Sequence, residues 1–431
     1  MKYRLIVVAA GMALAVSAVE REVVLKPYDG PSKDGIDSST LTGKVITGYQ
    51  GWFNCPGDGS GLGWVHWAAD KFEPGGHITV DGWPDVSEYD DDELYDTGFK
   101  YEDGTVAKVF SSHNRKTVMR HVQWMADYGI DGTFLQRFSC ELPDKKLFYH
   151  RNKVLSSVRE GANRYGVTYA VMYDLSGTPD DQLVSRVFGD WRMLREKMKI
   201  TKDPAYQHHN GKPLVAVWGI GFNGQIKKRP DFDECKKLIK KLKDDGCSIM
   251  IGTATGWRAQ DRDASQREDL HELLLMADVI SPWSVGRFGT MDGAREHADT
   301  YWSKDIAWSR EHDIDYMPVA FPGFSWYNLR QGKAPLAHIP RQQGQFFWKQ
   351  IVENKKAGAD MIYLAMFDEV DESTSIFKQS DNPPMGNGGT FLTMEGVPSD
   401  FYLRIAGKAG ELFRDEIPVT DEVPVKLDQG N

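Results

Sequence analysis

The segment Ala365-Met366-Phe367-Asp368-Glu369-Val370-Asp371-Glu372-Ser373-Thr374 runs an apolar stretch straight into four carboxylates within five positions. Carboxylates crowded in this way push one another's pKa values apart, which supplies a proton donor and a proton acceptor at a single pH. Asp368, Glu369, Asp371 and Glu372 are the candidates for these two roles. A calcium loop is the competing chemistry for such a cluster, but the DxDxDG spacing is absent. Indoles form a second pattern: Trp52, Trp218, Trp257, Trp283 and Trp326 each fall at or just after a short β-type run. One Trp alone is more often core than platform. Five at one end of a fold, accompanied by Asp174, Asn54 and Asn223, suit a sugar, whose C–H faces stack on rings while its hydroxyls take hydrogen bonds.

Residues of this kind need a scaffold that brings strand ends together. Strand-type runs fall at 45–53, 132–139, 168–174, 213–220, 248–255, 279–283, 316–321 and 361–367. Helical spacing fills the intervals, at 117–128, 147–165, 181–198, 233–243, 267–276, 301–312, 342–356 and 400–413. Eight strands, each followed by a helix apart from one long excursion after the first, predict a (β/α)8 barrel over 41–413. A doubly wound sheet would need a phosphate crevice. The glycine-rich stretch 57–63 lacks the GxGxxG spacing and opens no helix. The chain exceeds the roughly 250 residues of an ordinary barrel, and its excess lies at 54–112 and 368–399, in connections that belong to the catalytic face. His66 and Trp67 sit in the first of these, as does the acidic stretch 87–96, for which calcium binding stays open.

The 431 residues carry a net charge of −10, with 41% hydrophobic and 26% charged side chains. That balance excludes a disordered chain and gives no basic footprint for nucleic acid or an anionic membrane. Lys2 and Arg4 precede an apolar run at 5–18 ending Val16-Ser17-Ala18, which reads as a signal peptide and predicts a secreted or periplasmic protein. The run is shorter than the about 20 residues of a membrane span. An extension at 19–40 and a polar, loosely attached tail at 414–431 flank the barrel. Cys55, Cys140, Cys235 and Cys247 are too scattered for a disulfide framework, and no CxxC pair offers a zinc site. HExxH and a GxSxG elbow are absent as well, so neither a metal nor another cofactor is expected.

Taken together, Tyr49-Gln50-Gly51-Trp52-Phe53, the glycine-rich loop and His66-Trp67 resemble the first strand and loop of glycoside hydrolase family 99. Residues 126–132 are similar to that family's junction between a helix and strand 2, and 210–213 to its approach to a middle strand. The segment 367–374 resembles the family's Phe-Asn-Glu-Trp-His-Glu-Gly-Thr, with both glutamates kept at Glu369 and Glu372. The resemblance implies a retaining enzyme on α-mannosides. Glu369 would be the base towards the sugar's 2-hydroxyl and Glu372 the acid/base, with Tyr49, Trp52, His66 and Trp67 at the substrate. Two other readings accompany it, a family 71-like α-glucanase and a barrel that binds glycans without cleaving them.

Overall fold

The computed structural model describes residues 24–224 and 230–427. The apolar run at 5–18 lies outside the described residues, and no helix among those described is long and apolar enough to cross a membrane.

Eight parallel strands alternate with helices, as the periodicity predicts. They are β1 (Val45–Tyr49), β2 (Gly132–Phe138), β3 (Thr168–Asp174), β4 (Lys212–Ile220), β5 (Ser248–Ala254), β6 (Val279–Trp283), β7 (Asp315–Tyr316, resuming at Val319–Ala320) and β8 (Ile362–Leu364). Each strand is buried along most of its length, so the runs are apolar on both faces rather than alternating. The outer layer comprises α1 (Arg115–Asp127), α2 (Lys145–Tyr165), α3 (Asp180–Met193), α4 (Phe232–Asp244), α5 (Leu270–Leu274), α6 (Met291–His297, continuing through a wide turn into Ser303–Glu311), α7 (Gln345–Lys356) and α8 (Phe401–Phe413). Side-chain caps mark several helix starts: Asn114 accepts from Lys116 N, and Asp144 from the amides of Lys146 and Leu147.

The barrel closes through β7. Asp315 and Tyr316 pair with Val279 and Ile280 of β6, whereas Val319 and Ala320 pair with Tyr363 and Leu364 of β8. The ladder changes partner at Met317-Pro318, where Pro318 has no N–H to give. Met317 N still bonds Ile280 O at 2.9 Å, and Pro318 O accepts from Tyr363 N at 2.9 Å. One run of sequence therefore serves two neighbours in succession.

The strands at the two sides of the acid cluster are shorter than their apolar runs. β1 stops at Tyr49 because the amides of Gln50 and Gly51 turn to the Asp368 carboxylate; Gly51 holds φ +57° there. β8 stops at Leu364 because the chain folds back on itself, with Met366 N bonding Thr374 O and Phe377 N bonding Phe367 O. The excursion after β1 carries its own antiparallel hairpin, Leu94–Lys100 with Val106–Phe110. In its acidic stretch Lys116 of α1 pairs with Asp90 and Asp92, and Arg120 with buried Glu93 at 2.5 Å. The C-terminal segment is fastened rather than loose: Trp348 Nε1 bonds Thr420 O at 2.9 Å, and Asp421 pairs with Lys349 and Lys356. All four cysteines are free.

Candidate active site

The strand ends converge by register. Phe138, Asp174 and Trp218 are paired neighbours at the ends of β2, β3 and β4, and Trp283 follows opposite Ala254. A Cβ on Gly252 of β5 would lie 2.4 Å from Trp218 Cδ1, so the glycine is what gives this indole its place. These ends surround a cavity of about 420 Å³ at the C-terminal mouth of the barrel. Trp52, Trp218, Trp283 and Trp326 line it, together with Asp174, Glu369 and Glu372.

Three loops fix the acids and the indoles relative to one another. Asp368 is fully buried and accepts from Gln50 N at 2.7 Å and Gly51 N at 2.8 Å, which ties the β8 loop to the end of β1. Glu369 accepts on both oxygens, from Gln50 Nε2 at 3.1 Å and Thr374 Oγ1 at 3.0 Å. Asp371 Oδ2 lies 2.9 Å from His66 Nδ1, and that imidazole stacks on Trp52 at 3.6 Å and 5°. Arg341 holds the far side of the acid loop through the carbonyls of Ser373 and Ser375. The loop after β7 is secured by Asp81 of the excursion, which accepts from Ser325 Oγ and from the amides of Tyr327 and Asn328. Ser325 N then donates to Glu372 O, so Trp326 and Glu372 are held by one bond.

The electrostatics follow from burial and crowding. Asp368 is pushed up to about 7, chiefly by burial and against the pull of its two amide donors. Glu369 is held well above the usual carboxylate range by burial first and then by the charges of Glu372, Asp371 and Asp368. Glu372 rises to about 7, from burial and from Asp371, while Arg330 and Arg287 pull it back. Both Glu369 oxygens accept hydrogen bonds, whereas the Glu372 carboxyl has no side-chain hydrogen bond among the described residues. The two carboxyls titrate as a coupled pair, both raised above the ordinary carboxylate range, and they differ in their hydrogen bonding.

The structure brings Trp52, Trp218, Trp283, Trp326, Asp174, Glu369 and Glu372 together at the cavity. Asp368, Asp371 and His66 stand one contact behind it, holding the residues that face it. Three residues lie elsewhere. Trp257 is fully buried and turned outward, edge-on to Trp308 of α6 at 4.9 Å, because the turn after β5 carries it over the barrel's outer surface. Trp67 is in the core of the excursion, 4.5 Å from Phe53, with Nε1 on Phe110 O. Tyr49 points between β1 and α1, where its hydroxyl meets His121 Nδ1 at 2.8 Å. Trp257→Ala is thus expected to lower stability by about 3–5 kcal/mol, read from a urea midpoint, without changing ligand affinity. Trp326→Ala should do the reverse, weakening ligand binding and leaving the midpoint nearly unmoved.

Sequence reasoning missed Gln50, Gln136, Phe138, Phe222, Arg287, Phe324 and His338 on the cavity wall. Gln136 carried a usable signal, being a polar residue inside an otherwise apolar strand. Arg287, Phe324 and His338 sit in loops whose course no local pattern predicts.

No protein-family profile matches the sequence, and no curated protein matches it either. Solved structures do. The GH99 endo-alpha-mannosidase from Bacteroides thetaiotaomicron, in complex with bis-tris-propane, superposes with a TM-score of 0.62 at 15% identity, covering 88% of this chain and 99% of that one. A second structure of that enzyme matches with the same TM-score over 87% of this chain. A glycoside hydrolase-like protein follows at TM-score 0.54 and 15% identity, over 90% of this chain and 98% of its own. At such identity the likeness establishes the fold: a (β/α)8 barrel with its long connections on the cavity side.

Proposed function

We propose that this chain is a glycoside hydrolase, active outside the cytoplasm, that cleaves a 1,2-trans glycoside of the α-mannoside kind with retention of configuration. One observation carries the reading. Glu369 and Glu372, three residues apart on one loop, open onto the same indole-lined cavity. A conventional retaining pair must flank the anomeric carbon from opposite faces, roughly 5 Å apart, and two residues of one short loop are poorly placed for that. They are well placed to serve neighbouring atoms of one sugar.

The roles then follow from the hydrogen bonds on each carboxyl. Glu369, with hydrogen-bond donors on both oxygens, is the carboxylate that takes the proton of the 2-hydroxyl. O2 bonds to C1 as the glycosidic bond breaks, and the departing oxygen takes the proton held on Glu372. In the second half Glu372 accepts a proton from water as that water opens the three-membered ring at C1. Glu369 returns its proton to O2. Two displacements at C1 leave the configuration unchanged. O2 and the leaving group must be trans, which admits α-mannosides and rejects α-glucosides.

The direct test is release of reducing ends from α-mannan oligosaccharides and from α-glucan controls. New reducing ends from the mannosides alone are the expected result. Cleavage of α-glucans would overturn the 2-hydroxyl assignment, and binding without cleavage of any glycan would make the barrel a glycan-binding protein.

A further inference from the structure

Although the chain carries a net charge of −10, the cavity wall next to Glu372 is basic. Arg287, on the loop after β6, lines the cavity. Its Nε is fixed by Asp263 Oδ2 at 2.6 Å and its Nη1 reaches Val285 O at 3.5 Å, while Nη2 has no hydrogen-bond partner among the described residues. Asp263 is itself committed to the amides of Thr255 and Gly256. Arg330 lies over the Trp326 ring, 4.3 Å from its centroid, and makes no ion pair among the described residues. Exposed His338 adds a third basic side chain to the same wall. A guanidinium fixed at one edge and open at the other, acting on the same carboxyl as a second one that lies over an indole, matches an anion with several oxygens.

We propose that the sugar unit on the Glu372 side of the cavity carries an anionic substituent, a sulfate ester or a carboxylate, seated between Arg287 Nη2 and Arg330, with the sugar against Trp326. This rests on the reading that Glu372 faces a bound glycan. It also gives the basic wall a part in the chemistry. Arg287 and Arg330 both pull the Glu372 pKa down in the free protein, which works against a general acid. An anion bound between them cancels that pull, so the charged substrate helps Glu372 keep its proton until the leaving oxygen needs it.

Calorimetry on the full chain with three probes tests this: α-mannan oligosaccharides, the same oligosaccharides partially sulfated, and oligomannuronate, each at low and high salt. At least one anionic probe should bind tenfold or more tighter than the neutral one. The excess should shrink with salt and disappear in Arg330→Gln. Lys240→Gln, which removes a remote exposed charge on α4, should leave it intact. Preference between the two anionic probes distinguishes sulfate from carboxylate. Equal affinities for all three probes, failure of both anionic probes to bind, or an excess that survives both Arg330→Gln and Arg287→Gln would overturn the proposal. Reducing-end assays on the same probes keep the two readings apart. Cleavage of neutral mannan with no anionic preference removes the anion site and leaves the hydrolase, whereas anionic binding without cleavage does the opposite.

Discussion

Glu372→Gln is expected to slow release of sugar from an α-mannoside by roughly 10²–10⁴-fold, the usual contribution of a positioned general acid. The loss should be smaller for an aryl glycoside whose leaving group departs without a proton. Glu369→Gln should lose activity on both substrates, because the 2-hydroxyl then has no base. A 2-deoxy mannoside should bind the parent enzyme and remain intact. With Glu372 pushed up to about 7, kcat/KM should fall as pH rises through neutrality and the acid loses its proton. The same shift acts on stability. Its folded pKa lies above the ordinary carboxylate value of 4.5, so protonation stabilises the native state at acid pH, and that contribution is lost as pH rises towards and past 7. Glu372→Gln should therefore raise the urea midpoint at pH 8 more than at pH 4. Rates in Glu372→Gln equal to the parent's on both substrates would remove this residue from the chemistry.

The second large effect is expected behind the cavity wall, on the opposite face of β2 from Gln136 and Phe138. Arg137 of β2 is fully buried, and its guanidinium forms a bidentate pair with Asp190 of α3, Nε–Oδ2 at 2.8 Å and Nη2–Oδ1 at 2.5 Å. Tyr173 donates to the same carboxylate at 2.7 Å, and Asn152 accepts from Arg137 Nη2 at 3.1 Å. Asp190→Ala leaves a guanidinium uncompensated in the interior and should cost about 3–5 kcal/mol by urea unfolding. Replacing both partners, as Arg137→Met with Asp190→Leu, should recover much of that loss, since no buried charge is then stranded. If the single variant unfolds at the parent's midpoint, this network does not hold β2 to α3.

Much of this design is legible in the residues. The order of strands and helices follows from runs of apolar residues separated by amphipathic segments, because strands buried on both faces and helices buried on one leave different periodicities. The acid cluster is legible for a related reason: four carboxylates at the end of an apolar strand have nowhere to go but the rim. Individual indoles are less so. Trp218 and Trp257 both stand near the C-terminal ends of strands, yet one lines the cavity and the other packs on Trp308. The difference is the backbone turn after β5 and the room left by Gly252 on β5, which are tertiary facts. The split of β7 at Pro318 is local chemistry, but its consequence, one strand with two partners, depends on where β6 and β8 lie. Arg287 and Arg330 both act on Glu372 only because the loops after β6 and β7 converge on the cavity.

Stereochemistry reaches the central proposal most directly. NMR of the anomeric proton during the first turnovers on an α-mannoside should show the α-anomer forming first and the β-anomer accumulating only by mutarotation. Two displacements at C1, the first by O2, require that order. Initial appearance of the β-anomer would mean a single displacement by water, which calls for carboxyl groups about 6.5–9.5 Å apart on opposite faces of the sugar. That result would contradict the pairing of Glu369 and Glu372 on neighbouring atoms of one ring.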